Sequence, residues 1–239
     1  MNDRPLVIFD CDGVLVDSEP VSVRVLVTAL NRHGIDMAEE EAYSRFLGRS
    51  LATMTQVMDE EYGFHTGPEF LEGLRVDLYE RFHTELEAIN GIGDTVDKLG
   101  CDHCVASSSQ PERIRLSLSL TGLLDKFEPN IFSASMVENG KPAPDLFLYA
   151  AEKMGYDPAN CIVVEDSPAG IEAAQRAGMK ALAFTGGSHT HVAGYRERIE
   201  ALQPDAIFDA MPDLLQLVQK QLDGHQLNGH KGSVASGSL

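Results

Sequence analysis

The chain has 239 residues, 43% of them apolar, which is enough for one large domain plus a smaller insert and excludes a disordered chain. Its formal charge of −18 at pH 7 disfavours nucleic acid and anionic membrane surfaces as partners. There is no apolar run of about eighteen residues to span a membrane and no basic-then-apolar leader before the first strand, so a cytoplasmic protein is expected.

Short apolar runs bounded by turn residues recur at Leu6–Asp10, Cys104–Ser107, Asn130–Ser133, Cys161–Asp166, Lys180–Thr185 and Ala206–Asp209. Nearly continuous apolar character marks strands buried on both faces of a parallel sheet. Helical stretches lie between them. Pro144–Met154 gathers Leu146, Phe147, Tyr149, Ala150 and Met154 on one face, and Ala169–Ala177 stops before Gly178. The alternation predicts an α/β fold, a three-layer Rossmann-like core around a parallel sheet. In "ERIRLSLSLTG" the alternation of Ile114, Leu116, Leu118 and Leu120 has a strand period. Ser109 and Glu112 nevertheless read as a capping box with Pro111 in the first turn, and a parallel crossover is needed here, so a helix is predicted.

Residues 18–88 break the alternation: Val23, Leu26, Val27 and Leu30 mark an amphipathic helix and no convincing strand follows. This block is expected to be an inserted all-helical cap, with the core formed by 1–17 and 89–222. The segment 223–239 is polar and rich in Gly, Ser and His, and is expected to be disordered. Four cysteines are too few for a disulfide scaffold, and "CDHC" at 101–104 has no second Cys/His pair at zinc spacing, so buried free thiols are expected.

Ligands in such a sheet bind beyond the carboxyl ends of the strands. The first predicted strand ends in Asp10, with Asp12 just beyond; the second ends in Ser107, Ser108 and Ser109; the fourth ends in Glu165 and Asp166. "GKPAPD" at 140–145 sets Lys141 in a loop before a helix. Carboxylates crowd stably around a hard cation, and oxygen ligands of this kind suit Mg2+, which commonly meets a substrate phosphate. Lys141 and a serine would hold the same phosphate, giving a local positive centre in an acidic protein. The glycine-rich cofactor signals are poor: "GIG" at 91–93 lacks a third glycine.

Together "DCDGVLVDSE", the hydroxyl after the second strand, "GKPAPD" and "VVEDSPAG" resemble the four ordered motifs of the haloacid dehalogenase superfamily. The likeness covers residues 6 to about 215, and the helical insert is similar to the cap class that includes β-phosphoglucomutase and many sugar-phosphate phosphatases. The resemblance implies roles residue by residue. Asp10 would be the nucleophile that forms an aspartyl-phosphate, and Asp12 the general acid and then base. Mg2+ would be held by Asp10, the Asp12 carbonyl and Asp166, with Glu165 direct or one step removed. Ser107 and Lys141 would hold phosphoryl oxygens, with Ser108 beside them, and Gly13 would let the backbone approach the phosphate.

Three activities compete. Dehalogenation needs neither Asp12 nor the Glu165/Asp166 pair. The mutase branch carries a histidine after the first motif, where this chain reads "DSEPVSVR". The expected activity is hydrolysis of a small phosphorylated sugar, sugar acid or polyol, because "FDCDGVLVDSE" together with "ELEAINGIG" resembles bacterial phosphatases acting on 6-phosphogluconate and related sugar phosphates. A mutase or a non-catalytic phosphate-binding protein is the alternative. Arg49, in the loop "FLGRSLA", and Arg45 one turn before it are candidates for substrate recognition. No heptad seam is present, and a monomer is the expectation.

Overall fold

The computed structural model describes residues 4–46 and 51–220. Six parallel strands form one sheet: β1 (Leu6–Phe9), β2 (His103–Ser107), β3 (Ile131–Ser133), β4 (Cys161–Glu165), β5 (Lys180–Phe184) and β6 (Ala206–Phe208), in the order β3-β2-β1-β4-β5-β6. All six expected runs are strands. β1 shows why they read as unbroken apolar stretches. Val7 and Phe9 face one cluster, Leu6 and Ile8 the other, and all four are fully buried.

Each cluster is closed by helices, here numbered in chain order around the four of the insert. On the Val7/Phe9 face lie α5 (Ile92–Lys98), α6 (Pro111–Leu120) and α7 (Leu124–Phe127). Against the other face pack α8 (Asp145–Met154), α9 (Pro168–Arg176) and α10 (Tyr195–Ala201). The result is the three-layer sandwich.

α6 is a helix despite its strand-like alternation. Ile114 and Leu118, four residues apart, are both fully buried, so packing follows the helical period. The expected capping box does not form. The helix is capped by Gln110 without a side-chain bond, and the Ser109 hydroxyl is spent on Asp12 instead.

Between β1 and β2 the chain forms α1 (Glu19–Arg32), α2 (Glu39–Phe46), α3 (Leu51–Tyr62) and α4 (Pro68–Glu85), with no strand among its described residues. These helices have a cluster of their own around Val27, Leu30, Met37, Phe46 and Met58. The outgoing and returning segments are stitched together where they leave the core: Asp17 N–H donates to Glu87 O at 2.9 Å and Ile89 N–H to Leu15 O at 2.9 Å. Among the described residues no helix is long and apolar enough to cross a membrane.

From β1 the chain moves outward through β2 to β3, then returns to the other side of β1 as β4. The crevice at the carboxyl ends of β1 and β4 is therefore the switch point where such sheets bind ligands. The register pairs Phe9 with Val164, so Asp10 and Glu165 leave the sheet side by side.

Candidate active site

Asp10, Glu165 and Asp166 converge at that crevice, with one carboxylate oxygen of each within 4.8 Å of the others. All three are buried. Lys141, whose side chain is 4% exposed, reaches in from the loop before α8. Its Nζ donates to Asp10 Oδ1 at 2.6 Å, Glu165 Oε1 at 2.7 Å and the Ala106 carbonyl at 3.1 Å, with the Phe147 ring 4.8 Å away. Three carboxylates against one ammonium leave an excess of buried negative charge. Burial pushes the Asp10 carboxyl well up; Lys141 opposes the shift, while Glu165, Asp166 and Asp12 add to it. Burial also raises Glu165, against the pull of Lys141.

An all-oxygen donor set with surplus charge suits a hard divalent cation. Both Glu165 oxygens are already engaged, one by Lys141 and the other by the Ser167 N–H at 2.7 Å and hydroxyl at 2.9 Å. Asp10 and Asp166 each keep one oxygen clear of their pairing contacts, which fits them better as direct ligands. Gly170 makes room for this arrangement: a Cβ there would lie inside the Glu165 carboxylate. Gly13 has φ +81°, and a Cβ on it would come within 2.8 Å of both Asp166 Cγ and His189 Cε1.

Asp12 projects from the turn after β1 and accepts three hydrogen bonds. Ser18 Oγ donates at 2.6 Å, Ser109 Oγ at 2.6 Å and an Arg113 guanidinium nitrogen at 2.9 Å. Burial works against its charge, but Arg113 and the two hydroxyls outweigh it and hold the carboxyl below its ordinary value. The Arg113 guanidinium also lies 5.5 Å from the ring centroid of Phe82 on α4, so it touches the sheet domain's acid and the helical insert together. Ser107 ends β2 one place beyond Ala106 and is 1% exposed; its Oγ accepts from Ser109 N–H at 3.2 Å. Ser108 is exposed beside it.

A family model for haloacid dehalogenase-like hydrolases matches residues 7–184. The chain belongs to this family. As a haloacid dehalogenase-like hydrolase it is an enzyme whose curated relatives include phosphatases. It is 34% identical over 184 residues to the 6-phosphogluconate phosphatase of Escherichia coli K12, covering 77% of this chain and 83% of that one. Hexitol phosphatase A of the same organism is 30% identical over 191 residues, covering 77% and 84%. Among solved structures, a haloacid dehalogenase-like protein of unknown function from Agrobacterium tumefaciens superposes with TM-score 0.81 at 32% identity, over 91% of this chain and 99% of that one.

The structure thus brings Asp10, Asp12, Gly13, Lys141, Glu165 and Asp166 of this family member together, with Ser107 at the end of the neighbouring strand. It does not bring Arg45 to the cluster. That guanidinium pairs with Glu41 at 2.9 Å and Glu61 at 2.5 Å, and lies 5.4 Å from the Tyr62 ring centroid, all within the helical insert. Arg49 lies outside the described residues. All four cysteines are free, and burial pushes Cys101 up to about 11 and Cys161 to about 12, so neither is a reactive thiolate at neutral pH.

Three groups beside the site were given no role by sequence reading, although Glu19 closes the first motif "DCDGVLVDSE". Arg113 sits in a helix read only for its fold. Glu19, at the start of α1, is raised from 4.5 to about 7 by burial, which the charge of His189 opposes and those of Asp12 and Asp166 reinforce. His189, in the turn after β5, is 1% exposed with Nε2 2.7 Å from Asp166 Oδ2. Burial works against charge on this imidazole, but Asp166 outweighs it, helped by Glu19 and Asp17, and holds it above its ordinary value. The one available hint was "GGSHTH", a turn segment at the carboxyl end of a predicted strand.

Proposed function

We propose that the chain is a Mg2+-dependent phosphomonoesterase that hydrolyses a small phosphorylated sugar, sugar acid or polyol through an aspartyl-phosphate on Asp10. The observation that carries this reading is the Asp10–Lys141–Glu165 array beside Asp166. It combines a nucleophilic carboxylate, a fixed cation and surplus negative charge at one sheet edge. The names of the curated relatives support the sugar-phosphate class.

Asp10, the Asp12 carbonyl and Asp166 would hold Mg2+, which when bound supplies charge for the phosphoryl oxygens. Lys141 offsets the charge of Asp10 and keeps it oriented, so its carboxylate can attack phosphorus without repelling the incoming dianion. Ser107 and Lys141 would take up phosphoryl oxygens. As the bond to the leaving oxygen breaks, Asp12 delivers a proton to it. Asp12 then takes a proton from the water that cleaves the acyl phosphate, releasing phosphate and restoring Asp10. The three donors on Asp12 stabilise its carboxylate, the form needed for that second step.

The test is phosphate release with Mg2+ from a panel of sugar, sugar-acid and polyol phosphates, run on wild type and Asp10→Asn. Release from at least one class, abolished in the variant, supports the reading. Conversion of β-glucose 1-phosphate to glucose 6-phosphate without phosphate release would contradict it and indicate a mutase. Arg49 is proposed to bind a carboxylate or hydroxyls of the substrate. Arg49→Ala should then raise KM for the true substrate and leave p-nitrophenyl phosphate hydrolysis unchanged, whereas equal effects on both would remove Arg49 from recognition.

A further inference from the structure

His189 is a costly residue to bury. Nδ1 has no hydrogen-bond partner among the described residues, and Nε2 meets Asp166 Oδ2 at 2.7 Å. Buried polar groups in native folds are almost always satisfied, and an exception calls for a function.

The surroundings leave the ring little freedom. A Cβ on Gly13 would come within 2.8 Å of its Cε1, and one on Gly187 within 2.8 Å of Cε1 and 2.9 Å of Nδ1, so two glycine backbones flank it. Tyr195 packs edge-to-face against it at 5.4 Å. The turn that carries it is pinned by the Thr190 hydroxyl, whose single hydrogen is shared between Thr185 O at 2.6 Å and Gly187 O at 2.8 Å. Ser188 N–H and hydroxyl both donate to Asp17 at the exit toward the helical insert. Tyr195 also donates its hydroxyl to the Asp166 carbonyl at 3.1 Å. One segment, 188–195, thus touches Asp166 at its side chain through His189 and at its backbone through Tyr195.

His189 lies outside the group formed by Asp10, Glu165 and Asp166. We propose that His189 is a positioning residue for Asp166: its imidazole holds Oδ2 in place and leaves the other oxygen for the metal, so cation affinity depends on a side chain that does not ligate the cation. The proposal rests on Asp166 being a metal ligand. A partner that orients a ligating carboxylate changes metal affinity by about 10–100-fold when removed.

The experiment measures Mn2+ binding by electron paramagnetic resonance, and Mg2+ binding by calorimetry, without substrate. It uses the full chain as wild type, His189→Phe, His189→Gln and Asp166→Asn. His189→Phe keeps a ring of similar volume and removes both nitrogens; His189→Gln restores an N–H donor. The expected result is a Kd about 10–100-fold higher for His189→Phe, partial recovery in His189→Gln and a larger loss in Asp166→Asn. The melting temperature of His189→Phe in chelator should fall, because the buried Asp166 carboxylate loses its ion contact, so binding is measured below the melting point of every variant. Wild-type affinity in both His189 variants, with Asp166→Asn weakened, would overturn the role of His189 and leave the metal site standing. Wild-type affinity in Asp166→Asn would overturn the metal assignment itself. Should His189→Phe not fold, the His189 imidazole resonances of wild type are followed as Mg2+ is added: a shift that saturates with binding supports the proposal, and none overturns it.

Discussion

Lys141 Nζ stands 2.6 Å from Asp10 Oδ1 and 2.7 Å from Glu165 Oε1, making one buried ammonium the bridge between a strand-end carboxylate from β1 and another from β4. Removing one member of a buried ionic array leaves the rest uncompensated, at a cost of about 3–5 kcal/mol. Lys141→Met should therefore lower stability by about that amount in urea titrations at pH 7 without metal. Added Mg2+ should recover part of the loss. Unchanged stability would mean that the carboxylates share protons instead of relying on Lys141.

Gly170 offers a test that runs against the usual expectation. A glycine within a helix costs about 0.5–1 kcal/mol relative to alanine, so Gly170→Ala in α9 would ordinarily stabilise. Here the new Cβ would overlap the Glu165 carboxylate and push it away from Lys141 and Ser167. The variant should instead lose about 1–3 kcal/mol, the cost of overpacking, and lose activity with it. Thermal melting and phosphate release measured together check this, and a more stable, fully active Gly170→Ala would contradict the placement of Glu165.

Glu19 gives a pH dependence with a defined sign. Its carboxyl rises from 4.5 to about 7 in the folded protein, so between those values the folded state holds a proton that the unfolded state has released. Its contribution to stability is full below about 4.5 and is lost as pH rises through about 7. Glu19→Gln should gain stability relative to wild type at pH 8 and show little difference at pH 4, measured by urea titration with chelator present. The same gain at both pH values would contradict burial of the charged form.

Arg113 supplies the charged donor to Asp12 and also meets Phe82 across the boundary between sheet and insert. Arg113→Met should reduce kcat by about 10²-fold, the lower end of what a correctly held acid–base group contributes. Arg113→Lys should recover part of it. Full activity in Arg113→Met would show that Ser18 and Ser109 orient Asp12 without it.

The sheet was legible in the sequence because both of its faces are covered. A strand such as Leu6–Phe9 buries every side chain and so reads as one apolar run. Asp10, Asp12, Glu165 and Asp166 were legible because they directly follow or end such runs. Ser109 shows where local reading stops: its spacing to Glu112 suits a helix cap, yet the hydroxyl bonds to Asp12, 97 residues away. Arg113 and His189 were missed for the same reason. Each looks like an ordinary polar residue of a helix or turn, and its partner is fixed only by the folding of distant segments.

The central claim is that Asp10 carries the phosphoryl group. The most direct measurement quenches the enzyme during turnover of its best substrate with Mg2+, reduces acyl phosphates with borohydride and maps the peptides by mass spectrometry. The account predicts reduction of the Asp10 side chain, dependent on substrate and absent from Asp10→Asn. Rapid phosphate release with Asp10 unmodified, or with the mark on another carboxylate, would contradict it.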